Sequence, residues 1–365
     1  MVFVSETEER YRTVDENSDF TPIGELLGGM DLFQLELVLH EHLNLAHRRK
    51  WEFPPILLFK LLIVKIFRQL SYRRLVSSLT TDDCEFLGIN EIEPGIFSIP
   101  SSSTLHDFAT NRLGPDGLKA IMHSNGVQIC QSIRNGTGMI DSSPIEASSY
   151  DKNARFNSHY NCKMYKMHIF HLDDIPLFHL FSEGNEHDAP YAIPLAEKVR
   201  YMFPSLKKIQ LDAGYDSFLI HASFWKIFKV KPLIEQRENK KINFEGTDER
   251  IDHWVNKLWK KGGNIRDSID KKLEFLYDNK REKQVGMYIR NQNLLNPNFQ
   301  EQYKSRSDCE RTNSHMKRTF NFSVKWIQNR SKEFYIALNF ISYQVGLLAR
   351  LLKNEVDIQD LSRYY

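Results

Sequence analysis

Residues 302–325 read QYKSRSDCERTNSHMKRTFNFSVK, a polar and basic stretch with functional side chains at helical spacing. Four of these side chains stand at offsets of 0, 3, 7 and 14: Tyr303, Arg306, Glu310 and Lys317. Because an α-helix turns by about 100° per residue, this spacing predicts all four within about 60° of one helix face. A carboxylate, two cations and a phenol on one face suit a metal-bridged phosphate. The competing interpretation is a solvated helix face with an Arg306–Glu310 ion pair.

The composition is that of a globular chain whose positive charge is local rather than global. The 365 residues are 41% hydrophobic and 26% charged, with a formal net charge of +2. Residues 301–332 nevertheless hold eight Lys and Arg residues against three Asp and Glu residues. Such a basic segment in a nearly neutral protein predicts either a localised anion site or a plain surface helix.

The cysteines, the amino terminus and the apolar runs argue against several protein classes. The four cysteines lie singly, without CxxC or Cys/His spacing, which disfavours a zinc finger or a disulfide framework. The first residues, MVFVSETEERYR, lack a basic region followed by an apolar core, so no secretory signal is expected. The apolar runs at 56–67 and 334–352 contain polar residues and predict buried helices rather than membrane spans.

The pattern along the chain predicts an α+β protein, with a helical part followed by an α/β part. Helical spacing with short loops predicts an all-helical amino-terminal unit, either a DNA-binding helix-turn-helix or a plain bundle. After the turn sequence RNGTG, the order strand, strand, strand, helix, strand, helix, strand predicts a mixed sheet. The predicted parts are an acidic tail (1–30), the helical domain (31–135), the α/β core (136–239 and 299–355) and an insertion (240–298).

Two more carboxylates are predicted at strand ends beside glycine turns, where α/β sheets expose functional groups. They are Asp141 in MIDSSPIEA and Asp212 in LDAGYDS. With Glu310 they can hold two divalent cations about 4 Å apart, the arrangement of phosphodiester chemistry. A few carboxylates with water and phosphate also suit Mg²⁺. Asp216 or Glu146 remains an alternative acid, because a single strand-end Asp is more often structural. Four histidines near the strands are interpreted as packing or surface groups: His159, His168, His171 and His179.

These residues resemble the DDE transposases of prokaryotic insertion sequences, in the group with a Y-x2-R-x3-E-x6-K signature. The four residues of the opening stretch match the signature with its full spacing, and Asp141 and Asp212 resemble the first and second Asp of the family. HYNCKMYKMHI and EGNEHD resemble further family stretches, and PPILL, SYRRL and PSSSTL resemble those of its leading helical domain. The resemblance runs from about residue 30 to about residue 350.

The resemblance implies a ribonuclease-H-like, retroviral-integrase-like core that cleaves transposon ends and transfers the freed 3′-hydroxyl groups. It implies that Asp141, Asp212 and Glu310 bind two Mg²⁺ ions, with Mn²⁺ as a substitute. The DNA-binding candidates are Tyr303, Arg306, Lys317, Arg311 and Lys325, and the candidates for base stacking are Trp254 and Trp259. The implied partners are the terminal inverted repeats and the target DNA, bound by a homodimer. The expected location is the cytoplasm, associated with the nucleoid and not with a membrane.

Two alternatives keep the same fold but change the activity. A domesticated DNA-binding protein would be catalytically silent, and the presence of all three acids argues against it. A related nuclease, such as a junction resolvase, would cut DNA without joining strands.

Overall fold

The amino-terminal residues that the structure describes are mostly helical, with one short hairpin. The computed structural model describes residues 22–28, 32–43, 51–133, 136–237, 265–323, 327, 330–353 and 361. The helices are α1 (Pro22–Gly28), α2 (Leu32–His42), α3 (Pro55–Phe67), α4 (Tyr72–Ser78), α5 (Thr81–Leu87), α6 (Ser102–Asp107) and α7 (Gly114–Ser132). The hairpin, β1 (Glu91–Glu93) and β2 (Ile96–Phe97), departs from the all-helical prediction.

Polar side chains determine where these short helices begin. The serines at 101–103, just before LHDFATNRL, predict a serine cap for a helix there. Ser101 confirms this by accepting a hydrogen bond from the backbone N–H of Thr104 at 3.1 Å at the start of α6. Thr80 and Asp83 form a reciprocal capping box at the start of α5. Arg68, just after α3, donates to both oxygens of Asp83, at 2.7 and 2.8 Å, so α3 and α5 are tied together.

A mixed sheet follows, as the sequence pattern predicts, but it has six strands where the pattern predicts five, and Arg155–Asn157 is the additional one. Its strands are β3 (Gly138–Glu146), β4 (Arg155–Asn157), β5 (Cys162–Leu172), β6 (Ile175–Glu183), β7 (Lys208–Leu211) and β8 (Lys231–Ile234). Antiparallel pairs join β5 to β3, β4 and β6, whereas β7 is parallel to both β3 and β8. Parallel neighbours need crossover connections, and α8 (Ala189–Arg200) and α9 (Phe218–Ser223) provide them. Asp173–Asp174 lies between two strand-like runs, and this pattern predicts the turn of a hairpin. The structure confirms it, because these two residues form the turn between the antiparallel strands β5 and β6.

The carboxyl-terminal part returns to helices. They are α10 (Ile265–Asp278), α11 (Glu282–Leu294), α12 (Phe299–Tyr303), α13 (Ser307–Phe320) and α14 (Arg330–Leu352). The prediction of one continuous helix through Tyr303 and Lys317 is wrong, because a 3₁₀ turn at Lys304–Arg306 separates α12 from α13. Tertiary contacts hold this turn: Gln210 of β7 donates to Ser305 at 3.1 Å.

One hydrophobic core joins residues from both sides of the predicted boundary near residue 135. Its buried members come from the amino-terminal helices, the sheet and α14. Gln344 of α14 donates to the carbonyl oxygen of Leu177 in β6 at 2.9 Å. By length and composition the segment Ser331–Leu352 could cross a membrane, but 83% of its most apolar window is buried inside the protein. Such burial is typical of a core helix and agrees with the sequence prediction.

The described helices of the predicted insertion dock against the core through α11. Arg290 donates to both oxygens of Asp216 at 2.8 and 2.9 Å, and each side chain is only 1% exposed. Gly286 permits the close approach of α11 to α9, since a Cβ there would lie 1.7 Å from the carbonyl oxygen of Phe218. This part of the chain is therefore packed onto the loop that follows Asp212.

Candidate active site

Asp141 and Asp212 lie side by side because they follow paired positions on neighbouring parallel strands. Ile140 of β3 pairs with Leu211 of β7, and the two aspartates come next. The prediction of a strand end is confirmed for Asp212, which directly follows β7. It is wrong for Asp141, because β3 continues to Glu146 in antiparallel pairing with β5. The end of the parallel pairing, rather than the end of the strand, opens the space in front of Asp141.

Glu310 faces the two aspartates from α13, and the guanidinium of Arg306 lies among the three acids. Arg306 is 2.6 Å from an oxygen of Asp141 and 3.8 Å from one of Asp212, and it also pairs with Glu310. These groups line one cleft of about 510 Å³, hereafter the acidic cleft. Its other polar lining residues include Asn157, His159, Tyr160, Lys166, Asp188, Asn313 and Lys317.

Burial and the neighbouring charges both shift the pKa values of the two aspartates of the cleft. Burial raises the pKa of Asp141 to about 6, Arg306 opposes this shift, and the charges of Asp212 and Glu310 add to it. Burial also raises the pKa of Asp212, again against the effect of Arg306 and with the charge of Asp188 adding to the rise. The guanidinium of Arg306 therefore offsets only part of the charge of Asp141, Asp212 and Glu310, and these three acids electrostatically favour additional positive charge.

Asp141 is held in place by a buried polar chain that the sequence interpretation missed. Asn313 donates from Nδ2 to Asp141 at 2.9 Å, and its Oδ1 lies 3.0 Å from Nε2 of His171. An amide oxygen can only accept, so Nε2 of His171 carries the proton. Burial lowers the pKa of His171 to about 3, so the imidazole is neutral. The prediction of His171 as a packing group is therefore incomplete. Asn313 lies three residues after Glu310, a spacing that could have placed it on the same helix face.

Lys166 and Asp188 form an ion pair in the wall of the acidic cleft. Lys166 donates to Asp188 at 2.9 Å and to the carbonyl oxygen of Glu186 at 2.7 Å. The sequence predicts Asp188 as the cap of α8, but its side chain makes no capping bond. The pairing with Lys166 explains this difference, because it turns the carboxylate towards the sheet. Asp188 is thus a fourth carboxylate of the cleft.

Three further residues predicted to bind DNA lie at three different places in the structure. Lys317 lines the acidic cleft and donates to the carbonyl oxygen of Pro144 at 3.3 Å. Tyr303 donates to the carbonyl oxygen of Leu211 at 2.9 Å and so supports the backbone just before Asp212. Arg311 lies elsewhere on α13, in a groove that Arg318 and His315 also line.

The remaining candidate site residues lie outside the acidic cleft or outside the described residues. Asp216 is engaged by Arg290, and Glu146 lies exposed at the end of β3, so neither alternative acid lines the acidic cleft. Lys325, Trp254 and Trp259 lie outside the described residues.

The donor set of the acidic cleft fits a hard divalent cation in its chemistry. Carboxylate oxygens are the preferred protein ligands of Mg²⁺, which also retains water and substrate phosphate. In the part of the chain that the structure describes, no three His, Cys, Asp or Glu side chains are already arranged around one metal position. The side chain among the acids is Arg306, a cation that satisfies the same carboxylates.

Comparison with known protein families identifies the class. Residues 135–345 match the model of the family described as "Transposase DDE domain", and this match covers more than half of the chain. The protein therefore belongs to the DDE-domain transposases, which confirms the class predicted from the sequence. No curated protein and no solved structure matches the chain significantly.

Proposed function

We propose that this protein is the DNA transposase of an insertion sequence, in the Y-R-E-K group, with Asp141, Asp212 and Glu310 as its catalytic acids. The observation that supports this most directly is that three acids, distant in sequence, line one cleft within a DDE transposase domain. The reaction is cleavage at the terminal inverted repeats, followed by transfer of the freed 3′-hydroxyl to target DNA. The mixed sheet, with two acids at its parallel β3–β7 pair, supports a ribonuclease-H-like core.

In this proposal Asp141, Asp212 and Glu310 hold two Mg²⁺ ions, for which Mn²⁺ substitutes. Bound cations of this kind lower the pKa of an attacking water or hydroxyl and stabilise the leaving oxygen. Arg306 is the internal counter-cation of the acids until metal and DNA enter, and then binds a phosphate of the strand. Lys317, on the same wall, binds a second phosphate oxygen. Asn313 and His171 keep Asp141 oriented, and Tyr303 positions the backbone before Asp212.

The proposed partners are the transposon ends and the target DNA, with a homodimer bringing the two ends together. The helical residues 31–135 serve DNA binding or dimerisation, and 136–239 with 299–355 form the catalytic core. Residues 240–298 form an insertion of that core, and residues 1–30 an acidic tail. Arg311 and Lys325 are proposed as further phosphate contacts, and Trp254 and Trp259 as base-stacking residues. The proposed location is the cytoplasm, associated with the nucleoid.

A combined cleavage and joining assay tests the proposal. The purified protein is incubated with Mg²⁺, a duplex ending in the inverted repeats that flank its gene, and a supercoiled target plasmid. We expect nicking at the repeat end and covalent joining of that end to the plasmid. Cleavage without joining would favour the related nuclease. Binding without cleavage, in either Mg²⁺ or Mn²⁺, would favour the silent DNA-binding protein.

Replacement of Asn313 by Ala is expected to weaken Mn²⁺ binding and repeat-end cleavage by about 10- to 100-fold each. The reason is that Asp141 loses the 2.9 Å bond that orients it, while the three acids themselves remain. Calorimetric titration with Mn²⁺ and a nicking assay measure the two effects. Asn153→Ala, at an exposed asparagine that does not line the cleft, is the control. Wild-type Mn²⁺ affinity in Asn313→Ala would exclude an orienting role.

A further inference from the structure

The turn between β4 and β5 carries two aromatic side chains into the acidic cleft. The rings of His159 and Tyr160 contact edge to face with centroids 4.8 Å apart, and both residues line the cleft. Tyr160 nevertheless remains 47% exposed. Burial and then the charges of Asp141, Asp188 and Asp212 raise the pKa of its phenol. We call this pair, His159 and Tyr160, the aromatic tip.

The aromatic tip is held by a defined set of hydrogen bonds. Asn157 accepts at Oδ1 from the backbone N–H of His159 at 3.0 Å and from that of Tyr160 at 3.3 Å. The same side chain donates from Nδ2 to the carbonyl oxygen of Gly184 at 2.6 Å, which anchors the turn to the end of β6. Asn161 closes the turn with φ of 52°, a left-handed conformation that Asn tolerates. These bonds fix the backbone of the turn, so little backbone entropy is lost when a ligand stacks on a ring that the turn carries.

The position of Tyr160 is poorly explained by stability of the fold alone. A half-exposed ring at a turn buries little apolar area, so its truncation changes stability only slightly. Lys317, which lines the same cleft, is complementary to a phosphate of the DNA backbone, whereas Lys166 is paired with Asp188. An aromatic face beside a cationic side chain is a combination by which proteins bind single-stranded nucleic acid without sequence preference.

We propose that the aromatic tip stacks on an unpaired nucleobase of the DNA strand that the acidic cleft binds. This inference rests on the proposed function, and it names the ligand of the tip as a single-stranded DNA segment. A base within a duplex is covered on both faces by its neighbours, so the tip discriminates frayed or single-stranded ends from intact duplex. Stacking on Tyr160 needs only a π-face, and it is therefore independent of the identity of the base.

The same hairpin offers a matched control residue. Phe156 is an aromatic residue of β4 with 55% exposure. It pairs with Lys163, whereas its neighbour Asn157 and the next residue of β5, Met164, both line the cleft. Since successive side chains of a strand point to opposite faces, Phe156 lies on the face away from the cleft. Loss of either ring removes a comparable exposed aromatic surface, but only Tyr160 faces the bound strand.

The experiment uses the 365-residue protein without divalent metal and a short single-stranded oligonucleotide containing 2-aminopurine, whose fluorescence is quenched by stacking. A duplex of the same sequence is titrated in parallel. We expect Tyr160→Ala to bind the single-stranded probe about 5- to 150-fold more weakly and to lose the quenching. Tyr160→Phe keeps both the wild-type affinity for the single-stranded probe and the quenching, because the aromatic ring remains. Duplex affinity stays at the wild-type value in both variants, and Phe156→Ala behaves as wild type throughout.

Wild-type affinity and quenching in Tyr160→Ala would overturn the inference, and so would an equal loss in Phe156→Ala. A different result would refute the proposed function itself: a wild-type protein that binds neither probe and cleaves no repeat end in the joining assay. If the wild-type protein cleaves repeat ends and Tyr160 has no effect on the probe, only the role of the aromatic tip is refuted.

Discussion

Asp212→Asn is expected to lower the rate of repeat-end cleavage by at least about 100-fold. The substitution keeps the shape of the side chain and its acceptor oxygen for the N–H of Gly214, a bond of 2.8 Å in the wild type. It removes the negative charge that, beside Asp141, makes the cleft attractive to divalent cations. Nicking of a labelled repeat-end duplex, measured over a series of Mg²⁺ and Mn²⁺ concentrations, provides the rate.

The matched control for this change is Asp116→Asn, because the side chain of Asp116 is 95% exposed at the start of α7, away from the cleft. That variant should cleave at the wild-type rate. Both variants should have wild-type unfolding midpoints, so that a loss of rate reports on chemistry and not on folding. Full cleavage by Asp212→Asn would refute the assignment of the catalytic acids.

Arg290→Ala is expected to lower the free energy of unfolding by about 3–5 kcal/mol. The guanidinium makes a bidentate ion pair with Asp216, and removing it leaves that carboxylate buried beside His221, 3.5 Å away. Burial alone would raise the pKa of Asp216, but hydrogen bonds from His221 and Arg290 and the charge of Arg290 hold it well below its usual value. Urea denaturation followed by circular dichroism measures the difference.

The pH dependence provides a second measure of this ion pair. A carboxyl group whose pKa is depressed by folding stabilises the native state above its unfolded pKa, and this contribution is lost as the pH falls. The difference in free energy of unfolding between wild type and Arg290→Ala should therefore become smaller below about pH 4, near the usual pKa of Asp. Lys283→Ala, at an exposed position of the same helix, is the control and should change stability by less than about 0.5 kcal/mol. If Arg290→Ala were as stable as this control, the packing of α11 against the core would not depend on the ion pair.

Local signals in the sequence predicted many of the described elements. The Ser101 cap, the Asp173–Asp174 turn and the order of strands and helices each depend on residues within a few positions of one another. The same signals failed where a tertiary contact competes with a local preference. Asp188 has the position of a helix cap but pairs with Lys166, and a 3₁₀ turn held by β7 interrupts the helix predicted through Tyr303.

The sequence by itself determined the transposase class and the identities of the three acids proposed for catalysis, because both follow from residue types at given spacings. Only the tertiary structure decided what surrounds those acids. The pairing of Ile140 with Leu211 brings two of them together, Arg306 lies among all three, and Asn313 meets His171 across 142 positions of the chain. Such contacts depend on strand register and on how α13 packs against the sheet. Local propensities extend over only a few residues, so they carry no information about strand register or about the packing of α13.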